Sequence, residues 1–243
     1  MQEVLRRERC PRCAALGRDK HADNMAVYAD GHKYCFAGCG IIEWPTTFER
    51  IKGTLCVTNK SVTLPWDVTN TIDMKPLLWL SNYDITREEL ILYELKWSSS
   101  KQHLIFPFFD DQHHLLAYQA RDFNPTPKTK WFSSGDIHEI IPFNLTKKRK
   151  GGIIIVEDII SGIKIDRQYD CCPLFGSDVN YHKFKRLHLF TNELTFWLDY
   201  DKRAHSIKLA SLAQLMGFKT RIIVTEKDPK VYTDCEIFEI VEN

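Results

Sequence analysis

The sequence predicts an α/β protein in which a small cysteine-rich hairpin module precedes a larger domain built on a parallel sheet. Three observations carry this. Two cysteine pairs, Cys10/Cys13 and Cys35/Cys39, bracket a short segment with the pattern of a hairpin. Two continuous apolar runs, Ile153-Ile154-Ile155-Val156 and Leu194-Thr195-Phe196-Trp197-Leu198, read as strands buried on both faces. Both runs end in acids, Glu157-Asp158 and Asp199-Tyr200-Asp201. Ligands of such sheets gather at the carboxyl ends of the strands. Carboxylates crowded there repel one another and are costly to desolvate, and a divalent cation relieves both.

Bulk properties set the bounds. A chain of 243 residues can bury one large core, or one core and a satellite module. Hydrophobic residues at 44% and charged residues at 27% exclude a disordered chain. The formal net charge of +1 averages over basic runs such as Lys147-Lys148-Arg149-Lys150 and Lys183 to Arg186, so charge neither demands nor excludes nucleic acid. No apolar run approaches a bilayer span, and the N-terminus, with Arg6, Arg7 and Arg9, lacks an apolar signal core. A cytoplasmic protein without a membrane partner is the expectation. Eight cysteines in such a chain point to metal before disulfides.

Residues 1–50 form the first module. Cys10-Pro11-Arg12-Cys13 and Cys35-Phe36-Ala37-Gly38-Cys39 are two tight knuckles, and four thiolates in two close pairs suit a tetrahedral structural zinc. Between them, Met25 to Tyr28, Asp30-Gly31 and His32-Lys33-Tyr34 read as a hairpin with a type I′ turn. This is a zinc ribbon. Its apolar content is too small to fold alone, so the metal would supply much of the folding energy. The second pair has three intervening residues where ribbons more often have two; His21 and His32 are alternative ligands, though each reads more readily as a solvated residue. Cys56, Cys171, Cys172 and Cys235 stand among apolar residues and are expected to be buried.

Residues 51–64, rich in Thr, Asn, Lys and Ser, read as a linker. Residues 65–150 form the first part of the larger domain. Thr86-Arg87-Glu88-Glu89 is a capping box opening a helix through Leu90, Leu92, Tyr93 and Leu95. Leu104 to Phe109 and Leu115 to Arg121 alternate and form a hairpin, with Gln119 and Arg121 on one face. Arg121, Lys128 and Lys130 are candidate phosphate ligands, Arg by bidentate bonds and Lys as a point charge, although surface lysines are mostly just solvated.

Residues 151–243 carry the catalytic-looking half. A helix from Ile159 to Tyr169 begins at a carboxylate, which favours its N-terminus. Pro173 to Ser177 is a short strand entering a glycine turn. If the third strand continues past Leu198, Asp199 and Asp201 point the same way and reach one cation. Lys202 to Leu215 is an amphipathic helix stopped at Gly217, and Arg221 to Thr225 is a fourth strand ending in Glu226-Lys227-Asp228-Pro229.

From Gly151 to Asp228 these residues resemble a TOPRIM domain, the metal-binding fold of DnaG-type primases and topoisomerases. The resemblance rests on Glu157, Gly176-Ser177, Asp199-Tyr200-Asp201-Lys202-Arg203-Ala204 and Lys227-Asp228-Pro229, each following a strand. Upstream, Ala120-Arg121-Asp122 and Lys130-Trp131-Phe132-Ser133-Ser134 are similar to the basic strands of a primase polymerase domain. The cysteine module, with Asp30-Gly31-His32 ahead of Cys35, is similar to the zinc ribbon in the primase half of phage primase–helicases. The resemblance implies a DNA primase that makes short RNA primers on a single-stranded DNA template from NTPs. It implies Glu157 as general base or metal-shell residue, Mg²⁺ or Mn²⁺ on Glu157, Asp199, Asp201 and Asp228, and two-ion assistance of nucleotidyl transfer. Arg121, Lys128, Lys130 and Lys202 would bind triphosphate or template phosphates, and His32 would contact a template base. A phage origin, and hence a host cytoplasm, is part of the expectation. Ser161 stands where the family carries an acid, four residues after the glutamate. No Gly-x4-Gly-Lys-Ser/Thr loop follows, so a separate helicase and DNA polymerase would be partners. Two rival readings keep the same fold: a DNA-binding recombination mediator without catalysis, and a TOPRIM nuclease.

Overall fold

The computed structural model describes residues 4–28, 33–43, 62–110, 112–143, 152–176 and 181–243. The Asp30-Gly31 turn, His32, Cys56, Ser177, the basic run at 147–150 and most of the linker lie outside them. The chain divides into two compact units, Met1–Asn59 and Lys60–Asn243.

The first unit is a four-stranded antiparallel sheet in the order β1 (Val4–Glu8), β2 (Met25–Tyr28), β3 (Lys33–Cys35), β4 (Gly40–Glu43). The predicted hairpin is the central pair, with Met25 opposite Cys35. One helical turn, α1 (Pro11–Ala15), starts at Cys10, with Pro11 at its first position where a missing N–H costs nothing. Among the described residues, the core of this unit is little more than Met25, Ala26, Val27 and the cysteines. A core so small needs a staple.

The second unit holds two sheets. The antiparallel one runs β5 (Val68–Thr69), β6 (Lys96–Ser98), β7 (His103–Phe109), β8 (Leu115–Asp122), β9 (Trp131–Ser134) in spatial order. The β7–β8 pair is the hairpin expected from alternation, and Arg121 sits opposite Leu104 on one side and Trp131 on the other. Before it come α2 (Met74–Ser81) and α3 (Arg87–Leu92). Thr86 and Glu89 exchange both capping-box hydrogen bonds, and α3 ends earlier than expected because Glu94 turns to φ 51°.

The parallel sheet has the order β11 (Cys171–Pro173), β10 (Ile153–Val156), β12 (Glu193–Phe196), β13 (Lys219–Ile222). β10 is buried along its whole length, which is why it reads as an unbroken apolar run. Gly152, at φ 76°, lets β10 start against β12, since a Cβ there would run into the Glu193 backbone carbonyl. Helices α4 (Ile159–Asp166), α5 (Tyr181–Leu187) and α6 (Arg203–Leu215) connect the strands, and α7 (Asp234–Glu242) closes the chain. From β10 the chain moves to one side, to β11; from β12 it moves to the other, to β13. The seam between β10 and β12 is therefore the switch point where such sheets bind ligands.

Several expectations need correction. β11 ends at Pro173 rather than starting there, because Cys171, Cys172 and Pro173 pair with Ile154, Ile155 and Val156. The fourth strand starts two residues earlier, at Lys219. Cys235 is exposed: it lies off the Ile237/Val241 stripe of α7, whereas Cys171 and Cys172 are fully buried. Arg167, which follows α4, ties it to α3 and α7. Its guanidinium donates to both Glu89 oxygens (2.7 and 2.9 Å), to Asp234 (2.8 Å) and to the Asp84 carbonyl (2.6 Å).

Candidate active site

The acids at the strand ends divide into two groups, each with its own lysine. Asp158, after β10, caps α4: its Oδ1 accepts from the Ile160 and Ser161 amides at 2.8 and 2.9 Å. Its Oδ2 accepts from the Ser161 hydroxyl at 3.2 Å and from Lys230 Nζ at 2.9 Å. Lys230 also reaches Asp199 Oδ2 at 3.0 Å and Asp228 Oδ2 at 2.9 Å. Asp228 is fixed in turn by the Tyr200 amide, at 3.2 Å from Oδ1. Thus Asp158, Asp199 and Asp228, from the ends of β10, β12 and β13, converge on one ammonium.

The second group is Glu157, Asp201 and Lys202. The third strand does not continue past Phe196. Residues Tyr200–Lys202 form a 3₁₀ turn, so Asp199 and Asp201 do not point the same way. Asp201 pairs with Lys202 at 3.2 Å, and both charges act on Glu157.

The electrostatics follow from burial. Desolvation pushes Asp199 up to about 7, with the Asp158 charge adding and Lys230 opposing. Burial raises Glu157 above the usual carboxylate range, and Lys202 opposes it. Burial would raise Asp228 too, but the Lys230 ammonium outweighs it and holds that carboxyl low. Burial works against the Lys230 charge, and the three carboxylates more than offset it, keeping the amine protonated. Two buried oxygens, Glu157 Oε2 and Asp199 Oδ1, have no hydrogen-bond donor among the described residues. Such oxygens are costly unless something positive reaches them. They and their neighbours fit a hard divalent cation, which prefers carboxylate oxygen.

Arg121, at the end of β8, is close enough for the Asp158 charge to act on it. Its guanidinium lies over Trp79 at 4.4 Å, Trp131 at 5.4 Å and Phe123 at 5.8 Å from the ring centroids. Its Nε is buried without an acceptor among the described residues. Lys128 and Lys130 are exposed in and at the end of the loop before β9.

In the first unit, the sulfurs of Cys10, Cys13, Cys35 and Cys39 all lie within 4.8 Å of one another. Cys13 Sγ is 3.6 Å from Cys35 Sγ and 3.4 Å from Cys39 Sγ. A tetrahedral zinc with sulfur ligands at 2.3 Å needs sulfur separations of about 3.8 Å, so the four fit that ion. The Cys39 contact and then burial push Cys13 up to about 12. Burial would raise Cys35 as well, but hydrogen bonds from the Ala37 and Cys39 backbone bring it to about 7. His21 is exposed and outside the group. Buried Asp19 organises the first knuckle by accepting from the Cys10 amide at 2.6 Å and the Asp23 amide at 3.2 Å.

No protein-family model matches the chain, and no curated protein matches it. Solved structures do. The primase fragment of the bacteriophage T7 primase-helicase matches with a TM-score of 0.53 and 16% identity, over 98% of this chain and 100% of that one. The fold is that of a primase. The Aquifex aeolicus primase fragment with zinc-binding and RNA polymerase domains matches with a TM-score of 0.52 and 14% identity, over 81% of this chain and 56% of that one. The Escherichia coli primase catalytic core matches with a TM-score of 0.52 and 12% identity, over 69% and 72%. On this primase fold, sequence patterns do not single out Lys230, Asp19 or Trp79, and they present Asp158 only as a neighbour of Glu157. A lysine after Asp-Pro carries no spacing signal; only the packing of the 3₁₀ turn Pro229–Val231 brings it to the acids.

Proposed function

We propose that this protein is a DNA-dependent RNA primase that joins NTPs into short primers on a single-stranded DNA template. One observation carries the reading. Acids from three strand ends meet at the switch point of the parallel sheet, with Arg121 alongside, in a chain matching the T7 primase fragment over that fragment's whole length. No helix among the described residues is long and apolar enough to cross a membrane.

Glu157 and Asp199 supply the oxygens that would hold Mg²⁺ or Mn²⁺, with Asp201 and Asp228 beside them. Held there, such an ion would lower the cost of charge on the attacking and leaving oxygens of nucleotidyl transfer. The alternative role for Glu157, in place of holding the ion, is to accept the proton of the attacking 3′ hydroxyl, for which burial raises its basicity above an ordinary carboxylate's. Arg121 holds a phosphate through its planar fork, pre-set by the rings around it. Lys128, Lys130 and Lys202 add positive charge along the triphosphate or template. The four cysteines hold a structural zinc, and the ribbon, through His32, meets the template. A separate helicase and DNA polymerase complete the replication setting.

The test is incorporation of labelled NTPs on randomised single-stranded templates with Mg²⁺, followed by sequencing of the products. Primers that vanish in Glu157→Gln and Asp199→Asn are expected. Full synthesis by both variants would sink the assignment, and shortening of labelled DNA instead would identify a nuclease.

A further inference from the structure

Lys230 is where the acid group departs from a plain cluster of carboxylates. An ammonium has three N–H donors and no acceptor. Here the ammonium donates to Asp158 Oδ2 at 2.9 Å and Asp199 Oδ2 at 3.0 Å, and its charge also pairs with Asp228 Oδ2 at 2.9 Å. All three of its close contacts are carboxylates, so Lys230 differs in kind from the exposed Lys128 and Lys130. It also differs from a surface ion pair. Lys230 is 18% exposed, and its partners are 23%, 19% and 23% exposed, so solvent and salt screen the contacts weakly. Pro229 and the 3₁₀ turn fix the backbone from which the side chain reaches inward.

The arrangement has the makings of an internal metal substitute. One oxygen of each of the three aspartates is already committed to a positive charge. Asp158 has no free oxygen left, because its other one caps α4. What remains buried and donorless is Asp199 Oδ1 and Glu157 Oε2. Resting on the reading that these acids take a divalent cation, we propose that Lys230 is a tethered counter-ion that fills one cation position of the centre. The centre then takes a single Mg²⁺ or Mn²⁺, and its carboxylates are held in place before that ion arrives.

The test counts ions on the full-length, zinc-replete chain. Mn²⁺ binding is followed by electron paramagnetic resonance, and thermal unfolding is recorded with and without Mn²⁺, for wild type, Lys230→Met and Lys230→Arg. The expected result is one Mn²⁺ on the wild type. Lys230→Met takes two, the first about tenfold or more tighter, because three carboxylates lose their internal charge. Metal-free Lys230→Met melts several degrees below wild type, and saturating Mn²⁺ closes the gap. Lys230→Arg behaves as wild type. Two ions on the wild type, or equal stoichiometry and affinity in wild type and Lys230→Met, would overturn the proposal. The wild-type count decides even if Lys230→Met does not fold. Primer synthesis with an unchanged ion count would sink Lys230's role alone, whereas no Mn²⁺ on any variant would remove the metal reading with it.

Discussion

The cysteine group and the acid group face the same physical problem, crowding ionisable groups that repel when charged, and they resolve it with different means. In the ribbon, the sulfurs find only backbone amides and one another: Cys13 is driven up to about 12 while Cys35 falls to about 7. Cys13 and Cys39, both raised, hold their protons until a cation replaces them. In the acid group the chain brings cations of its own, Lys230 to three aspartates and Lys202 to Asp201. A site neutralised from outside must carry its whole signature in its ligands. A site neutralised from within hides part of it in a residue with no motif.

That contrast can be broken at the ribbon first, where the largest effect is expected. Cys35→Ser removes one of four ligands, and in ribbon-like peptides zinc supplies roughly 10 kcal/mol of folding free energy. Zinc content should fall from one ion per chain to nearly none, and proteolysis should cut residues 1–59 while the rest of the chain resists. Retained zinc and an intact first unit would mean that the thiols are not the ligands. Glu157→Gln in the acid group should leave the fold intact and lower the rate of primer synthesis by roughly 10²- to 10³-fold, the usual cost of losing one preorganised catalytic group. The thermal midpoint separates the two cases, falling for the first unit only in the cysteine variant.

How much could be read beforehand follows the same division. The cysteine knuckles and the two apolar runs were legible because their spacing is dictated by bond geometry and by burial on both faces. β1, with the sequence Val-Leu-Arg-Arg-Glu, was not, since an exposed edge strand needs no apolar pattern. The Asp199/Asp201 pair misled in one respect. The two-residue period holds only within a strand, and β12 stops at Phe196. Ser161 looked like a missing acid; it is fully buried and hydrogen-bonds the Asp158 carboxylate that joins the group. Lys230 and Trp79 act through tertiary contacts alone. A lysine beside a proline and a tryptophan within an amphipathic helix each read first as surface and core.

The acidity of Asp199 gives a sharper comparison of the two sites. Its ordinary value of 3.8 is pushed up to about 7 by burial, so the folded chain holds this proton more tightly than the unfolded chain does. The stability that this group contributes is complete below about pH 4 and is lost as pH rises through about 7. A cation must displace the same proton. Mn²⁺ affinity of the acid group should therefore rise about tenfold per pH unit up to about 7 and level off above it. Asp199→Asn should abolish that step in a calorimetric titration. A step surviving in the variant would assign it to another group.

The smallest effect is expected at Arg121, where it tests whether the cradle or the charge matters. Lysine keeps the charge but has no planar guanidinium to lay over Trp79, nor two parallel donors to present to a phosphate. Losing the stack should cost about 1 kcal/mol, or roughly fivefold, in whichever state uses it. If the rings only stabilise the fold, Arg121→Lys lowers the thermal midpoint and leaves the KM for NTPs alone. If they aim the guanidinium at a phosphate, KM rises about fivefold with kcat nearly unchanged, because a contact made equally to bound substrate and transition state acts on binding. Lys128→Ala is the control. It is an exposed point charge, so its effect should fade as salt is raised, whereas the half-buried, ring-stacked Arg121 should keep most of its effect.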